Sequence, residues 1–262
     1  MIVGGVDVGS ATGKAVVMKD GEIIGSHLIA ATTRPQETAR LVMEEAIRRA
    51  GLSSIDHLDH VICTGYGRLK VPFAQENVSE ISCHARGAHW MAPTTRTVVD
   101  IGGQDCKVIS VSDKGTVVNF AMNDRCAAGT GRFFEAMARA LCCGLEGLSA
   151  LENQGETPCV ISNQCSVFAE SEVITLVNEG TDLSNIIAGI NVSVASRLNS
   201  MVRRVGLVAE LVLTGGCSKN DGLASALAAK LSISIGKLSE DPQLAGAVGA
   251  ALIAAEKAGV QD

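Results

Sequence analysis

The sequence predicts an α/β fold that contains two copies of one unit, and three observations indicate this. A strand, a glycine turn and a second strand occupy residues 2–18, and the same order returns around Val99. The matching positions are Val6, Asp7, Gly9 and Lys14 in the first copy and Val99, Asp100, Gly102 and Lys107 in the second. Strand-like and helix-like segments alternate along the rest of the chain, which is typical of α/β folds. We interpret the agreement of strand, loop, second strand and following turn as an internal duplication rather than chance similarity.

The remaining elements follow from hydrophobic spacing and from helix-ending residues. We predict helices over residues 36–50 and 79–90, and a strand over 61–63 between them. Further helices are expected from about Ala127 and about Ser166, followed by a long helix, a strand over 209–213 and an alanine-rich helix from Gln243. We therefore predict a first domain at residues 1–95, a second at 96–240, and a C-terminal helix at 241–262 that packs back on the first domain.

Composition excludes several classes of protein. The chain has 262 residues, 47% hydrophobic and 19% charged, which is too apolar for a disordered protein. A net charge of -6 and only one Trp, one Tyr and five Phe argue against a nucleic-acid partner. The uncharged stretch at residues 243–255 is shorter than the roughly 20 apolar residues that a membrane span needs. With no secretory signal before the first strand, we expect a cytoplasmic protein without a membrane segment.

Glycine-containing turns follow three of the predicted strands. Glycine in such a turn lets backbone N–H groups approach a phosphate, and an acidic residue at the strand end suits the waters around Mg²⁺. Each turn alone could be a simple tight turn, but three in order favour a nucleotide site. No P-loop and no dinucleotide fingerprint occurs. The turns are Asp7-Val8-Gly9-Ser10, Asp100-Ile101-Gly102-Gly103 and Thr214-Gly215-Gly216.

This arrangement resembles the actin, sugar-kinase and Hsp70 superfamily, whose duplicated actin-like ATPase fold has two ribonuclease-H-like domains with the nucleotide between them. The first two turns resemble its phosphate motifs, and residues 213–221 resemble its adenosine motif. The resemblance implies that Asp7 and Asp100 organise Mg²⁺ and the attacking water, and that Gln104 helps to position that water. The residues expected to bind ATP or ADP are Gly9, Ser10, Thr12, Lys14, Gly102, Gly103, Gly215, Gly216 and Asn220.

Two of the nine cysteines are each expected at or just before a helix start. Cys126 precedes Phe133, Met137 and Leu141 at helical spacing, and Cys165 precedes Ala169 and Val173 in the same way. A helix N-terminus lowers the pKa of a thiol, so two such ends could hold an iron–sulfur cluster. A cubane needs four thiolates, which a two-fold dimer would supply. Both residues could instead be ordinary buried cysteines.

Specific strings resemble the ATP-dependent activators of 2-hydroxyacyl-CoA dehydratases, a family that includes the ATPase subunits of benzoyl-CoA reductase. The resemblance covers nearly the whole chain. The matching strings are at residues 123–133, 167–174 and 100–105, with further matches at 64–68, 82–84 and 186–190. It implies that Cys126 and Cys165 of each subunit bind one 4Fe–4S cluster at the interface of an oxygen-sensitive homodimer. It also implies a dehydratase partner, and reduced ferredoxin or flavodoxin as electron donor under anaerobic conditions.

The sequence departs from the family pattern in the nucleotide loops. Ala11 and Gly13 stand where hydroxyl residues are common, Cys106 follows Gln104 and Asp105, and Cys217 follows the adenosine glycines. These residues put side-chain contacts to phosphate in question, whereas backbone contacts remain available. The other cysteines have no metal spacing and are predicted to be structural. His84 and His89 are predicted as core or polar-face residues rather than ligands.

Three other functions compete with an activator. The chain could be an ATPase subunit of a benzoyl-CoA-reductase-like enzyme, which the residues alone do not separate from an activator. It could be a small-molecule kinase of the same fold, although 262 residues leave little room for an acceptor pocket. A third alternative is a nucleotide-sensing module without turnover. The acyl-CoA handled by a partner enzyme is not readable from this chain.

Overall fold

The computed structural model describes residues 1–123, 126–151, 154–162 and 165–259. Its first sheet contains β1 (Ile2–Val8), β2 (Thr12–Lys19), β3 (Glu22–Ala30), β4 (His60–Thr64) and β5 (Glu76–Asn77), in the order β3-β2-β1-β4-β5. The first three strands are antiparallel, and β4 pairs in parallel with β1. The predicted hairpin at the N-terminus is confirmed.

The second sheet repeats this topology. It contains β6 (Thr97–Ile101), β7 (Cys106–Val111), β8 (Val117–Asn123), β9 (Leu211–Thr214) and β10 (Ile235–Gly236), in the order β8-β7-β6-β9-β10. Asp7 lies opposite Lys14 in the first sheet, and Asp100 lies opposite Lys107 in the second. This equivalence of register confirms the duplicated α/β fold that the sequence predicts.

Eight α-helices lie in the described part of the chain. They are α1 (Pro35–Arg49), α2 (Glu80–Met91), α3 (Gly131–Ala140), α4 (Leu145–Leu151), α5 (Ser166–Asn178), α6 (Leu183–Val205), α7 (Asp221–Leu231) and α8 (Ala245–Ala258). In α1, Pro35 occupies the first turn, where its missing N–H costs nothing, and Ala39, Val42 and Ala46 form the buried stripe. The Ser79 side chain caps α2 by accepting from the backbone N–H of Ser82. None of these helices is long and apolar enough to cross a bilayer.

The start of α3 corrects the sequence-based expectation. The helix begins at Gly131 rather than near Ala127, because the preceding residues form a turn. Gly129 has a φ of +87°, a conformation that ends any helical run. The turn is held by Asn123 Nδ2, which donates to the Cys126 carbonyl at 2.8 Å, and by Thr130 Oγ1, which donates to the Ala127 carbonyl at 2.6 Å.

Helices cover both faces of both sheets. On the first sheet, α1 buries one face and α8 the other. On the second sheet, α3, α6 and α7 cover one face, and α2 covers the other. The helices α2 and α8 also pack on each other, where a Cβ at Gly87 would overlap the Ala245 carbonyl and a Cβ at Gly249 the Cys83 carbonyl. These two helices therefore join the sheets, and the domain boundaries at residues 95 and 240 stay a prediction.

Candidate functional site

A cavity of about 610 Å³ lies between the two sheets. Its volume falls in the range of sites that bind nucleotide-sized ligands. The wall contains every residue predicted to bind nucleotide or to act in hydrolysis, namely Asp7, Gly9, Ser10, Thr12, Lys14, Asp100, Gly102, Gly103, Gln104, Gly215, Gly216 and Asn220. The fold thus brings three turns that are far apart in the chain to one cleft.

The two phosphate-like turns have the same backbone geometry. The N–H of Gly9 donates to the Thr12 carbonyl at 3.0 Å, and the N–H of Gly102 donates to the Asp105 carbonyl at 3.0 Å. The turns also touch each other across the cleft. A Cβ at Gly103 would lie 2.8 Å from the Cβ of Ala11, so this close approach requires glycine. Ala11, one of the departures from the family pattern, is the small residue that meets it.

The third turn connects β9 to the start of α7. The N–H of Gly215 donates to the Pro242 carbonyl at 3.2 Å, which ties the turn to the segment before α8. Asn220 caps α7 by accepting from the N–H of Leu223 at 2.7 Å, and its amide donates to Asn191 Oδ1 at 3.1 Å. The side chain of Asn220 already has two hydrogen-bond partners. Its backbone remains available for contacts in the cavity.

Each copy of the unit buries an aspartate beside a lysine. Lys14 Nζ lies 3.0 Å from Asp7 Oδ2. Lys107 Nζ lies 3.2 Å from Asp100 Oδ2, 2.9 Å from Asp105 Oδ1 and 3.0 Å from Glu80 Oε2. The second lysine is more deeply buried, with a side chain only 1% exposed. The second copy therefore carries a larger ion cluster than the first.

The cluster holds Asp100 and Lys107 in the charged state. Burial opposes the ionisation of Asp100, but His84, Lys107 and a hydrogen bond from Thr214 outweigh it, so the pKa of Asp100 lies below its usual value. Burial likewise disfavours a charged Lys107, but Asp100, Glu80 and Asp105 together raise its pKa. Ionised carboxylates at this point can hold the waters of a Mg²⁺–nucleotide complex.

His84 is buried, which agrees with its prediction as a core residue, but its position at the cavity wall was not predicted. It is 5% exposed and forms part of the cavity wall, with Nδ1 3.3 Å from Asp100 Oδ1 and 3.1 Å from Thr214 Oγ1. Sequence reasoning also did not assign Glu80 and Lys107 to the site. The four-residue spacing of Glu80 and His84, which puts both on one face of α2, was the available signal.

Two cysteines near the second and third glycine turns lack the properties of a nucleophile. Cys217 lines the cavity, and burial raises the pKa of its thiol to about 12. Burial also raises the pKa of Cys106 to about 11. Both therefore stay protonated at neutral pH. Cys217 acts as a small apolar wall residue of the cavity, and Cys106 packs in the core of the second domain.

The predicted cluster cysteines lie outside this cavity. Cys165 is exposed and is the N-cap residue of α5, as predicted. Cys126 is half-buried and lies in the turn before α3. It precedes the helix, as predicted, but by four residues from the N-cap Thr130 rather than directly. Within residues 1–123, 126–151, 154–162 and 165–259, no three metal-binding side chains of one chain converge.

These features define a nucleotide-binding protein of the duplicated actin-like ATPase fold. Residues 5–254 match the model of the BadF/BadG/BcrA/BcrD ATPase family, and the chain belongs to that family.

The chain is similar over 97% of its length to two activators. It is 44% identical to the activator of lactoyl-CoA dehydratase of Anaerotignum propionicum and 45% identical to the (R)-2-hydroxyglutaryl-CoA dehydratase activating ATPase of Acidaminococcus fermentans, covering 97% of each. Among solved structures, an activator of 2-hydroxyisocaproyl-CoA dehydratase from Clostridium difficile with bound ADPNP superimposes with a TM-score of 0.93 at 39% identity, over 100% of this chain and 97% of that one. A benzoyl-CoA reductase subunit of Thauera aromatica is 33% identical over 96% of this chain and 92% of its own.

Proposed function

We propose that this ATPase is an activator that uses ATP hydrolysis to deliver a low-potential electron to a 2-hydroxyacyl-CoA dehydratase. The observation that carries the proposal is the joint occurrence, in one chain, of the cleft between duplicated Asp-Lys turns and, apart from it, of the half-buried Cys126 and the exposed Cys165. Identity to activators over 97% of the chain supports the same conclusion.

The cleft would bind ATP with Mg²⁺ between the two sheets. In hydrolysis, a water oxygen bonds to the γ-phosphorus and the bond to the bridging oxygen breaks, leaving ADP and phosphate. Asp7 and Asp100 would hold the waters of Mg²⁺, and Gln104 would orient the attacking water. The residues fit this ion, because magnesium at phosphates uses one or two carboxylates and substrate oxygens rather than a full protein cage. The backbone amides of the two glycine turns would hold the phosphates.

The thiols of Cys126 and Cys165 fit one 4Fe–4S cluster shared by two subunits. Thiolate sulfur is the ligand that such clusters take, and these two cysteines in each of two chains give the four ligands that are needed. When bound, the cluster supplies one-electron transfer at low potential. Cys165 lies at the N-terminus of α5, and Asn123 fixes the backbone at Cys126.

An exposed apolar surface next to Cys165 supports a homodimer. Val167 and Phe168, in the first turn of α5, are 68% and 63% exposed. Large apolar side chains at such exposure beside a cluster ligand suit burial by a second copy of the chain.

Backbone hydrogen bonds connect the nucleotide cleft to the cysteine segment. The N–H of Gly131 donates to the Gly102 carbonyl at 2.9 Å, and the N–H of Arg132 donates to the Gly103 carbonyl at 2.9 Å. A shift of the second phosphate turn on ATP binding or hydrolysis would therefore move the start of α3 and the turn that contains Cys126. This connection would make electron delivery depend on the nucleotide state.

The setting of the reaction is also proposed. All nine cysteines are free thiols, which suits a reducing compartment such as the cytoplasm. Reduced ferredoxin or flavodoxin would supply the electron. A second candidate function is a permanent component of a benzoyl-CoA-reductase-like enzyme. It is less favoured, because identity to the Thauera aromatica reductase chain is only 33%.

Anaerobic reconstitution tests the proposal. The reduced protein is mixed with dehydratases specific for lactoyl-CoA, 2-hydroxyisocaproyl-CoA or 2-hydroxyglutaryl-CoA, with ATP or with ADP, and the enoyl-CoA product is measured. We expect product with at least one enzyme, with ATP only, and its loss in Cys165→Ser. The exposed Cys142 gives the matched control, because Cys142→Ser should retain activity. ATP hydrolysis without activation of any dehydratase, together with phosphorylation of a sugar, would contradict the proposal in favour of a kinase.

A further inference from the structure

His84 lies where the two halves of the molecule meet, between the two aspartates of the cleft. Its Nδ1 faces Asp100 Oδ1 and Thr214 Oγ1, and the Thr214 hydroxyl donates to Asp100 Oδ1 at 2.9 Å. The single hydrogen of that hydroxyl is thereby used, so the Thr214 oxygen can only accept from His84. Both neighbours of Nδ1 are then acceptors, which requires Nδ1 to carry a hydrogen. The imidazole therefore holds Asp100 through its Nδ1–H donor.

The other edge of the ring faces the first domain. A Cβ at Gly246, in the first turn of α8, would lie 3.1 Å from His84 Nε2 and 2.8 Å from Asp7 Oδ2. The absence of a side chain at this position is what lets the imidazole and the Asp7 carboxylate approach the same point. His84 thus has one nitrogen at the carboxylate of the second copy and the other near that of the first.

The duplication shows that this polar residue is not needed for packing. The two halves have equivalent topology, and α8 follows β10 as α2 follows β5. Residues 245–250 of α8 are Ala, Gly or Val, and they are buried against α2 and the first sheet. Small apolar residues therefore suffice where α8 makes the contact that is equivalent to the one made by α2. Burying an imidazole instead costs free energy unless it is hydrogen-bonded, and His84 depends for this on Asp100 and Thr214.

Glu80, one turn earlier on α2, contacts Lys107, which in turn contacts the other carboxylate oxygen of Asp100. Its Oε2 lies 3.0 Å from Lys107 Nζ, which in turn lies 3.2 Å from Asp100 Oδ2. One face of α2 thus contacts Asp100 directly through His84 and indirectly through Lys107. Asp100 is held at both oxygens by groups that α2 positions.

We propose that His84 is a positioning residue for ATP hydrolysis, which fixes the orientation of the Asp100 carboxylate and its placement relative to Asp7. This inference rests on the proposed role of Asp100. Since His84 acts on the carboxylate rather than on the nucleotide, its loss should slow turnover more than it weakens ATP binding.

Three substitutions at this position separate positioning from simple structure. His84→Ala should lower kcat by about 10- to 100-fold, the range typical when a group that orients a functional residue is removed. The KM for ATP should stay within about threefold of the wild type. The amide nitrogen of His84→Asn can replace Nδ1, so it should restore most of kcat, whereas His84→Gln reaches the Nε2 position and should not.

The controls distinguish a variant that fails to fold from a wrong role for His84, and both of these from a wrong role for Asp100. His89→Asn, on the same helix but outside the cavity wall, should leave kcat unchanged. If His84→Ala does not fold, the comparison of Asn with Gln still decides. Equal kcat values for those two variants, or an Ala variant within about twofold of the wild type, would overturn the inference. An Asp100→Asn variant with undiminished ATPase activity would instead refute the proposed role of Asp100.

Discussion

At the scale of residues, the two Asp-Lys pairs show how a duplication becomes asymmetric. Lys14 contacts Asp7, whereas Lys107 contacts three carboxylates and has a side chain only 1% exposed. The sequence repeat predicted that both aspartates lie at the cleft. It could not predict the contact of Lys107 with Glu80, because Glu80 reaches Lys107 from α2, which lies outside the repeated strand-turn-strand segment.

Removal of the second lysine should destabilise the fold severely. Lys107→Met leaves three carboxylates near one another without a cation, and breaking a buried pair in this way costs about 3 to 5 kcal/mol. Lys14→Met, which leaves one carboxylate, should cost less. Urea unfolding of both variants measures the difference. Equal midpoints for Lys107→Met and the wild type would show that the ion cluster does not stabilise the protein.

The acid stability of the protein should depend on Asp100. The pKa of this residue is lower in the folded state than in the unfolded state, so its contribution to stability is present at neutral pH. That contribution is lost as the pH falls below about 4, the ordinary value for Asp. Asp100→Asn should therefore lower stability at pH 7 and flatten its decline under acid, as measured by urea unfolding at several pH values. An unchanged pH dependence in this variant would contradict the assignment.

At the scale of elements, sequence reasoning predicted which segments are helices better than where they begin. The spacing of Phe133 and Met137 reveals the buried stripe of α3, but no periodicity shows that Gly129 turns the chain before Gly131. Cys165 was located correctly because the helical pattern begins directly after it. Contacts across the cleft, such as those of His84, depend on tertiary packing and have no local pattern.

The pair of helices that joins the sheets gives a prediction at this scale. Gly87→Ala puts a Cβ into the Ala245 carbonyl of α8 and should destabilise the protein by about 1 to 3 kcal/mol, the usual cost of overpacking. Gly259→Ala is the matched control, because a Cβ there has 3.5 Å of clearance and its backbone is helical. Thermal unfolding compares them. A Gly87→Ala variant as stable as the control would mean that α2 and α8 separate without cost.

At the scale of the whole molecule, the duplicated fold and the nucleotide cleft were both predictable from the sequence. Repeated turns at Asp7 and Asp100, joined by the turn after Thr214, indicated one cleft, because strands with the same topology end at equivalent edges. The pairing of Cys126 and Cys165 was implied by a resemblance, since no spacing within one chain provides four thiolates.

The most direct test of the proposed electron-transfer function is the iron and acid-labile sulfide content of anaerobically purified protein, measured together with its mass in solution. The proposal predicts a dimer with about four irons and four sulfides, lost in Cys126→Ser and in Cys165→Ser and retained in Cys142→Ser. An iron-free monomer that still binds ATP would contradict the electron-transfer function and leave an ATPase of another kind.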